Sequence, residues 1–247
     1  MKPFVLLTTR PEDDVARTEL ASFQRFSGLA PADLLWVRLE REAFPDLHAD
    51  DISGIYLGGS PFTVSEPEHT KSALEKRAEA ELFGVLDRVF AEDIPFFGCC
   101  YGVGALGTHQ GGIVDRTYGE PLSAVQLTVT EAGRQDPVVA AAQLPDRLTG
   151  LVGHKEAVRE LPPNATVLIS GEACPVQMFR VGTRQYATQF HPELDVPGVI
   201  ERSRAYQGHG YFDPAEMEKI HALLSHEQAD DPPRLLRAFA TVFAADG

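Results

Sequence analysis

Two short stretches of this sequence have residue types and spacing suited to nucleophilic chemistry. Gly98-Cys99-Cys100-Tyr101-Gly102 sets a thiol between two glycines, and Gln189-Phe190-His191-Pro192-Glu193 sets an imidazole two residues before a carboxyl. A nucleophile on a sharp strand-to-helix turn sits in a strained backbone conformation, and side chains two positions before and after it crowd one another, so both flanks favour glycine. Only Cys100 has glycine at both positions; centring the turn on Cys99 would put Phe97 and Tyr101 there. A thiol nucleophile also needs a base to take its proton, and the base needs a group that orients its other ring nitrogen. His191 and Glu193 can fill these roles, because Pro192 fixes the backbone between them. The order Cys100, His191, Glu193 is a thiol version of triad logic.

The third requirement is a set of N–H groups aimed where negative charge develops on a tetrahedral intermediate. Gly58-Gly59-Ser60-Pro61 is the candidate donor loop, because glycine lets the backbone approach a substrate closely. Gly58 and Gly59 are the loop candidates, with the Gly59 N–H as one donor and the N–H of Tyr101 as the other. One such donor contributes roughly 3 kcal/mol of transition-state stabilisation.

These groups must be carried by regular elements. Phe4 to Thr8, Leu34 to Leu39, Gly54 to Leu57 and Pro95 to Phe97 are apolar runs suited to strands covered on both faces. Amphipathic helical stretches lie between them, from about Asp14 to Phe26 and from Ser72 through Phe90. Strands that alternate with helices imply a parallel sheet with helices on both faces. The second half has short β-like runs at Ala124 to Thr130, Thr166 to Ser170, Pro175 to Val181 and Gln185 to Phe190, the last two joined as a hairpin at Gly182-Thr183. After Glu193 the chain turns helical and polar. A break at Asp230-Asp231-Pro232-Pro233 precedes a final amphipathic helix, Arg234 to Phe243.

With 247 residues and 43% hydrophobic content, the chain is expected to form a single domain, with a core over about 1–195 and a helical C-terminal extension over about 196–247. A formal net charge of −14 excludes the concentrated positive field that nucleic-acid binding requires. No run of about 18 apolar residues is present, so no membrane helix is expected. The short N-terminal apolar run lacks the features of a signal peptide. Three cysteines, two of them adjacent, make neither a disulfide framework nor a Cys-x-x-Cys metal site. A soluble, cytoplasmic protein is the expectation.

Taken with their order and spacing, the Gly-Gly loop, the Gly-x-Cys-x-Gly elbow and the late His-Pro-Glu resemble the triad-type class I glutamine amidotransferases, over about Phe4 to Glu193. Gly153-His154-Lys155-Glu156, Leu161-Pro162-Pro163, Cys174-Pro-Val-Gln-Met-Phe179 and Tyr186-Ala-Thr-Gln-Phe-His-Pro-Glu193 look most like stand-alone, GMP synthase-like members. The resemblance implies a flavodoxin-like α/β fold with a mostly parallel sheet and an added β-hairpin element. It also implies glutamine as nitrogen donor, hydrolysed through a γ-glutamyl thioester on Cys100, with no cofactor and no metal. One position departs from the family pattern. Many members follow the elbow with His-Gln or Met-Gln, whose glutamine helps hold the substrate, whereas this chain has Val103-Gly104. That departure favours an alternative, a γ-glutamyl hydrolase or peptidase acting on another γ-glutamyl amide. A non-catalytic binding module is the third reading. No Gly-x-x-x-x-Gly-Lys-[Ser/Thr] phosphate loop is present, so the ammonia acceptor would be served by a separate synthetase subunit, or the chain works alone on a small γ-glutamyl compound.

Blander readings stand beside these. A free cysteine is often a buried core residue, which is the expectation for Cys99 and Cys174. The glycines of Gly58-Gly59 also suit a plain tight turn. His154 is at least as suited to a surface loop as to the site and stays outside the triad. His48, His69, His109, His209, His221 and His226 lack metal-ligand spacing. The stripe Leu235, Leu236, Phe239 and Val242 is expected in core or dimer packing.

Overall fold

A computed structural model describes residues 1–207, 210 and 212–245 of the chain. His209 lies outside the described residues. Strands β1 (Phe4–Thr8), β2 (Leu34–Arg38), β3 (Gly54–Leu57) and β4 (Phe96–Cys99) form where the continuous apolar runs are, because both faces of each are covered. Further along come β5 (Ile113–Asp115), β6 (Glu120–Val129), β7 (Arg147–His154), β8 (Ala157–Glu160), β9 (Ala165–Gly171), β10 (Met178–Val181) and β11 (Gln185–Thr188). Nine strands make one sheet in the order β2-β1-β3-β4-β11-β10-β9-β6-β7, and β5 pairs with β8 separately.

The half from β2 to β11 is parallel. Beyond β11 every pairing is antiparallel, through β10, β9, β6 and β7. The β10–β11 hairpin turns at Gly182, whose φ of 58° suits glycine. The added hairpin is thus one part of a four-strand antiparallel extension.

Helices α1 (Asp13–Ser27), α2 (Ala73–Ala91) and α3 (Tyr101–His109) follow β1, β3 and β4 in turn. Helix α2 begins at a capping box: the Ser72 hydroxyl accepts from the Glu75 N–H at 3.1 Å. Short helices α4 (Glu131–Gln135) and α5 (Pro137–Ala142) link β6 to β7. The chain ends with α6 (Val196–Ala205), α7 (Met217–Leu224) and α8 (Arg234–Phe243).

Strand alternation divides the core. Phe4, Leu6, Tyr56, Phe97 and Cys99 face a layer that includes Phe23 of α1 and Phe239 of α8. Val5, Leu7, Ile55, Leu57 and Phe96 face residues of α2 and α3. Phe239 is fully buried, with its ring centroid 5.1 Å from that of Tyr56 and 5.5 Å from that of Phe97. The Tyr56 hydroxyl donates to the Leu236 carbonyl at 2.7 Å. The apolar stripe of the last helix therefore belongs to the main core.

Candidate active site

The parallel strands end along one edge of the sheet, the edge at which open α/β sheets bind ligands. Arg10 follows β1, Gly58-Gly59 follow β3, Cys100 follows β4 and His191 follows β11. The fold thus brings together the sequence-derived candidates Cys100, His191, Glu193, Gly58, Gly59 and Tyr101.

Cys100 is the N-cap of α3, with φ 52° and ψ −83°. A non-glycine residue there is strained, at a cost on the order of 1–3 kcal/mol that the surroundings must offset. One anchor is its N–H, which donates to the Thr188 carbonyl of β11 at 2.7 Å. The two flanking glycines differ. A Cβ on Gly98 would lie 2.7 Å from the Gly102 Cα, whereas a Cβ on Gly102 would meet only Leu57, at 3.7 Å. The steric demand for glycine therefore falls on Gly98. Strand alternation turns Cys99 into the core, where burial pushes its thiol well above the usual range. Cys100 is the partly exposed cysteine; Cys99 and Cys174 are buried.

His191 is held by its N–H, which donates to the Leu151 carbonyl of β7 at 2.9 Å. Its Nδ1 lies 2.7 Å from Oε1 of Glu193, and Cys100 is within hydrogen-bonding reach of the ring. Burial alone would lower the imidazole pKa, but the Glu193 carboxylate and the Cys100 sulfur outweigh it and push it up to about 10. Burial would raise the Glu193 carboxyl, yet His191 and then Arg202 bring it down to about 2. A charged imidazole hydrogen-bonded to a carboxylate is the favoured state of the pair.

Behind the pair lies a buried charge cluster that the sequence did not reveal. Arg202 of α6 donates from Nη1 to Glu193 Oε1 at 3.0 Å and lies 3.3 Å from Glu19 Oε1 of α1. Arg10 donates from Nε to Glu19 Oε1 at 2.8 Å and from Nη1 to the Tyr206 hydroxyl at 2.9 Å. These five residues are all buried. Every member is paired, as buried charge requires.

The Gly-Gly loop rests on this cluster. A Cβ on Gly58 would come 2.6 Å from the Glu19 carboxylate, and one on Gly59 would come 3.0 Å from Arg10 Nη2 and 3.2 Å from His191 Cε1. The two glycines have different uses. Gly58 donates its N–H to the Leu7 carbonyl at 3.0 Å, extending the β1–β3 ladder, and its missing side chain leaves room for Glu19. The N–H groups of Gly59 and Tyr101 have no hydrogen-bond partner among the described residues. Residues 62–65 just beyond are tied down: Val64 and Ser65 donate their N–H groups to Glu156 at 3.0 and 2.7 Å, and Lys71 donates to the Val64 carbonyl at 2.9 Å.

Cavities lie on two sides of Cys100. One, of about 60 Å³, is lined by His191, Arg10, Val152, Leu194, Val199 and Phe212. The other, of about 20 Å³, is lined by Tyr101, Thr63, His154, Glu156 and Gln189. The Gln189 side chain is fully buried, and neither its oxygen nor its nitrogen has a partner among the described residues. A buried amide with both ends unpaired beside a nucleophile is suited to a polar ligand.

His154 is buried, not part of a surface loop. Its Nδ1 donates to the Glu156 carbonyl at 2.9 Å, and its Nε2 lies 2.9 Å from Glu120 Oε2. Glu120, His154 and Cys174 have ligand-type atoms within 4.8 Å of one another. Both His154 nitrogens already have partners, and Gln177 donates to Glu120 at 2.6 Å, so the cluster works as a hydrogen-bonded support for the strand end that bears Glu156.

Comparison with known proteins agrees with this geometry. The class I glutamine amidotransferase family matches residues 31–197, more than half of the chain. The glutaminase chain of a glutamine-hydrolysing, two-chain-named GMP synthase from Pyrococcus abyssi is 29% identical over 150 residues, covering 60% of this chain and 70% of that protein. A Bacillus mycoides GMP synthase is 30% identical over 109 residues, 44% of this chain and only 20% of the relative's own length. A glutamine amidotransferase of Thermotoga maritima has the same fold, with a TM-score of 0.74 and 18% identity over the whole of both chains. No helix among the described residues is long and apolar enough to cross a membrane. By the match over residues 31–197, the chain belongs to the class I glutamine amidotransferases.

Proposed function

We propose that the chain hydrolyses the side-chain amide of glutamine through a thioester on Cys100. The observation that carries this reading is the 2.7 Å contact between His191 Nδ1 and Glu193, which leaves the other face of the imidazole for Cys100. In the proposed sequence His191 takes the thiol proton and the sulfur attacks the carboxamide carbon. The Gly59 and Tyr101 N–H groups receive the oxyanion, at the positive end of α3. As the tetrahedral intermediate collapses, the C–N bond breaks and His191 gives its proton to the departing ammonia. Water then enters, loses a proton to His191 and hydrolyses the γ-glutamyl thioester, releasing glutamate and the thiol.

The Pyrococcus abyssi relative is named as one of the subunits of a GMP synthase. A separate synthetase chain is accordingly the candidate partner to receive the ammonia. The test of the reading is ammonia release from free glutamine by the wild type and by Cys100→Ala. Release by the wild type alone supports it; equal release by both would sink it.

A second reading is a γ-glutamyl hydrolase or peptidase acting on a substituted amide. The observation favouring it is the cavity beside His191, whose walls include Val152, Leu194, Val199 and Phe212 and which exceeds what an ammonia leaving group needs. Cys100-dependent cleavage of γ-glutamyl amides bearing an apolar amine, with little turnover of glutamine, would select this reading.

A further inference from the structure

Position 104 is four residues beyond Cys100 and so lies on the same face of α3. Here, where many family members carry the substrate-holding glutamine, this chain has glycine. The space is not empty. A Cβ at Gly104 would lie 2.2 Å from Oε1 of Glu156, so the Glu156 carboxylate, arriving from a different part of the chain, occupies the volume of a side chain at 104.

Its position is fixed. Oε1 accepts the Val64 N–H at 3.0 Å and Oε2 accepts the Ser65 N–H at 2.7 Å, while its own carbonyl accepts from His154. A carboxylate has about four lone-pair sites, so two backbone donors leave acceptor capacity over. Glu156 shares the small cavity with Cys100 and with Gln189, whose buried amide has both ends unpaired. That cavity, of about 20 Å³, matches one water-sized group. An ammonium head has that size and the charge that a carboxylate wall selects.

We propose that Glu156 is a specificity-determining residue that has taken over the place of the elbow glutamine and receives the α-ammonium group of the substrate. The substrate class is then γ-glutamyl amides with a free α-amino group, glutamine among them. This rests on the glutaminase reading above, and it adds that the contact is ionic.

The test compares glutamine with glutaramate, the same amide without the α-amino group, by Cys100-dependent ammonia release. Wild type is expected to prefer glutamine by on the order of 10- to 100-fold in kcat/KM, the scale of a hydrogen bond to a charged group, with the difference appearing in KM. Glu156→Gln is expected to bring the ratio of the two substrates close to one, whereas loss of a purely structural residue would lower both and leave the ratio unchanged. Should Glu156→Gln fail to fold, the wild-type comparison stands on its own, and the double variant Gly104→Gln/Glu156→Ala, which restores the common family arrangement, is expected to retain glutamine turnover that Gly104→Gln alone loses. Equal use of both amides by the wild type, or an unchanged ratio in Glu156→Gln, would overturn the proposal while leaving the glutaminase reading intact. Ammonia release from neither amide that depends on Cys100 would overturn the reading itself and the proposal with it.

Discussion

At the scale of single residues, exposure and charge divide the labour among the three cysteines and around the imidazole. Cys99 and Cys174 are buried, and burial pushes both thiols up, Cys174 to about 12. A glutamine-mimicking electrophile is therefore expected to label Cys100 alone, read by peptide mass spectrometry; modification at Cys99 or Cys174 in the folded protein would contradict the assignment. The His191–Glu193 pair has a pH signature. His191 is raised from 6.5 to about 10, so its contribution to stability is complete below pH 6.5 and is lost as pH rises toward 10. Glu193 is lowered from 4.5 to about 2, so its contribution is complete above pH 4.5 and is lost as pH falls toward 2. The melting-temperature gap between wild type and Glu193→Gln should be widest near pH 5 to 6 and close toward both limits. In the same variant the His191 ring should titrate below its wild-type value by NMR. An unchanged titration would mean that Glu193 does not set the imidazole's charge.

The triad was legible at this scale because its members carry local signs: a glycine bracket around Cys100, and a proline that holds His191 and Glu193 together. Arg10, Glu19 and Arg202 carry no such sign. They come from a loop, α1 and α6, and meet only when the sheet edge is assembled. Glu156 is the same kind of case, since its relation to Gly104 spans two elements far apart in sequence.

At the scale of elements, the β4–α3 turn sets the geometry of the nucleophile. Gly98→Ala would force its new methyl against the Gly102 backbone and is expected to cost roughly 1–3 kcal/mol and most of the activity. Gly102→Ala meets only Leu57 at ordinary contact distance and adds helix propensity, so it is expected to be neutral or stabilising by up to about 1 kcal/mol. Chemical denaturation of the two variants checks this, and equal damage from both would mean that the crowding is symmetric. Strands such as β1 were readable because burial on both faces makes a continuous apolar run. Strand β7 was not: Gly150 and Gly153 interrupt it, and a Cβ at Gly150 would lie 2.4 Å from Leu127 of β6. A close strand approach of that kind removes the side-chain pattern that sequence reading depends on.

At the scale of the whole molecule, the last helix closes one face of the parallel sheet. Phe239 packs on Phe4, Tyr56, Phe97 and Tyr186, side chains from four different strands. Phe239→Ala is expected to lower stability by about 3–5 kcal/mol, measured by denaturant unfolding, and to weaken the site only through unfolding. The stripe itself was visible as Leu235, Leu236 and Phe239 at helical spacing, but sequence periodicity cannot say whether such a stripe meets its own sheet or a second chain.

The central claim is that Cys100 carries the acyl group. Wild-type protein mixed with glutamine and quenched in acid is predicted to bear one γ-glutamyl group, on the peptide containing Cys100, and Cys100→Ser is predicted to bear no thioester and to release no glutamate. Glutamate release by Cys100→Ser at the wild-type rate, or a γ-glutamyl group on another residue, would contradict the account.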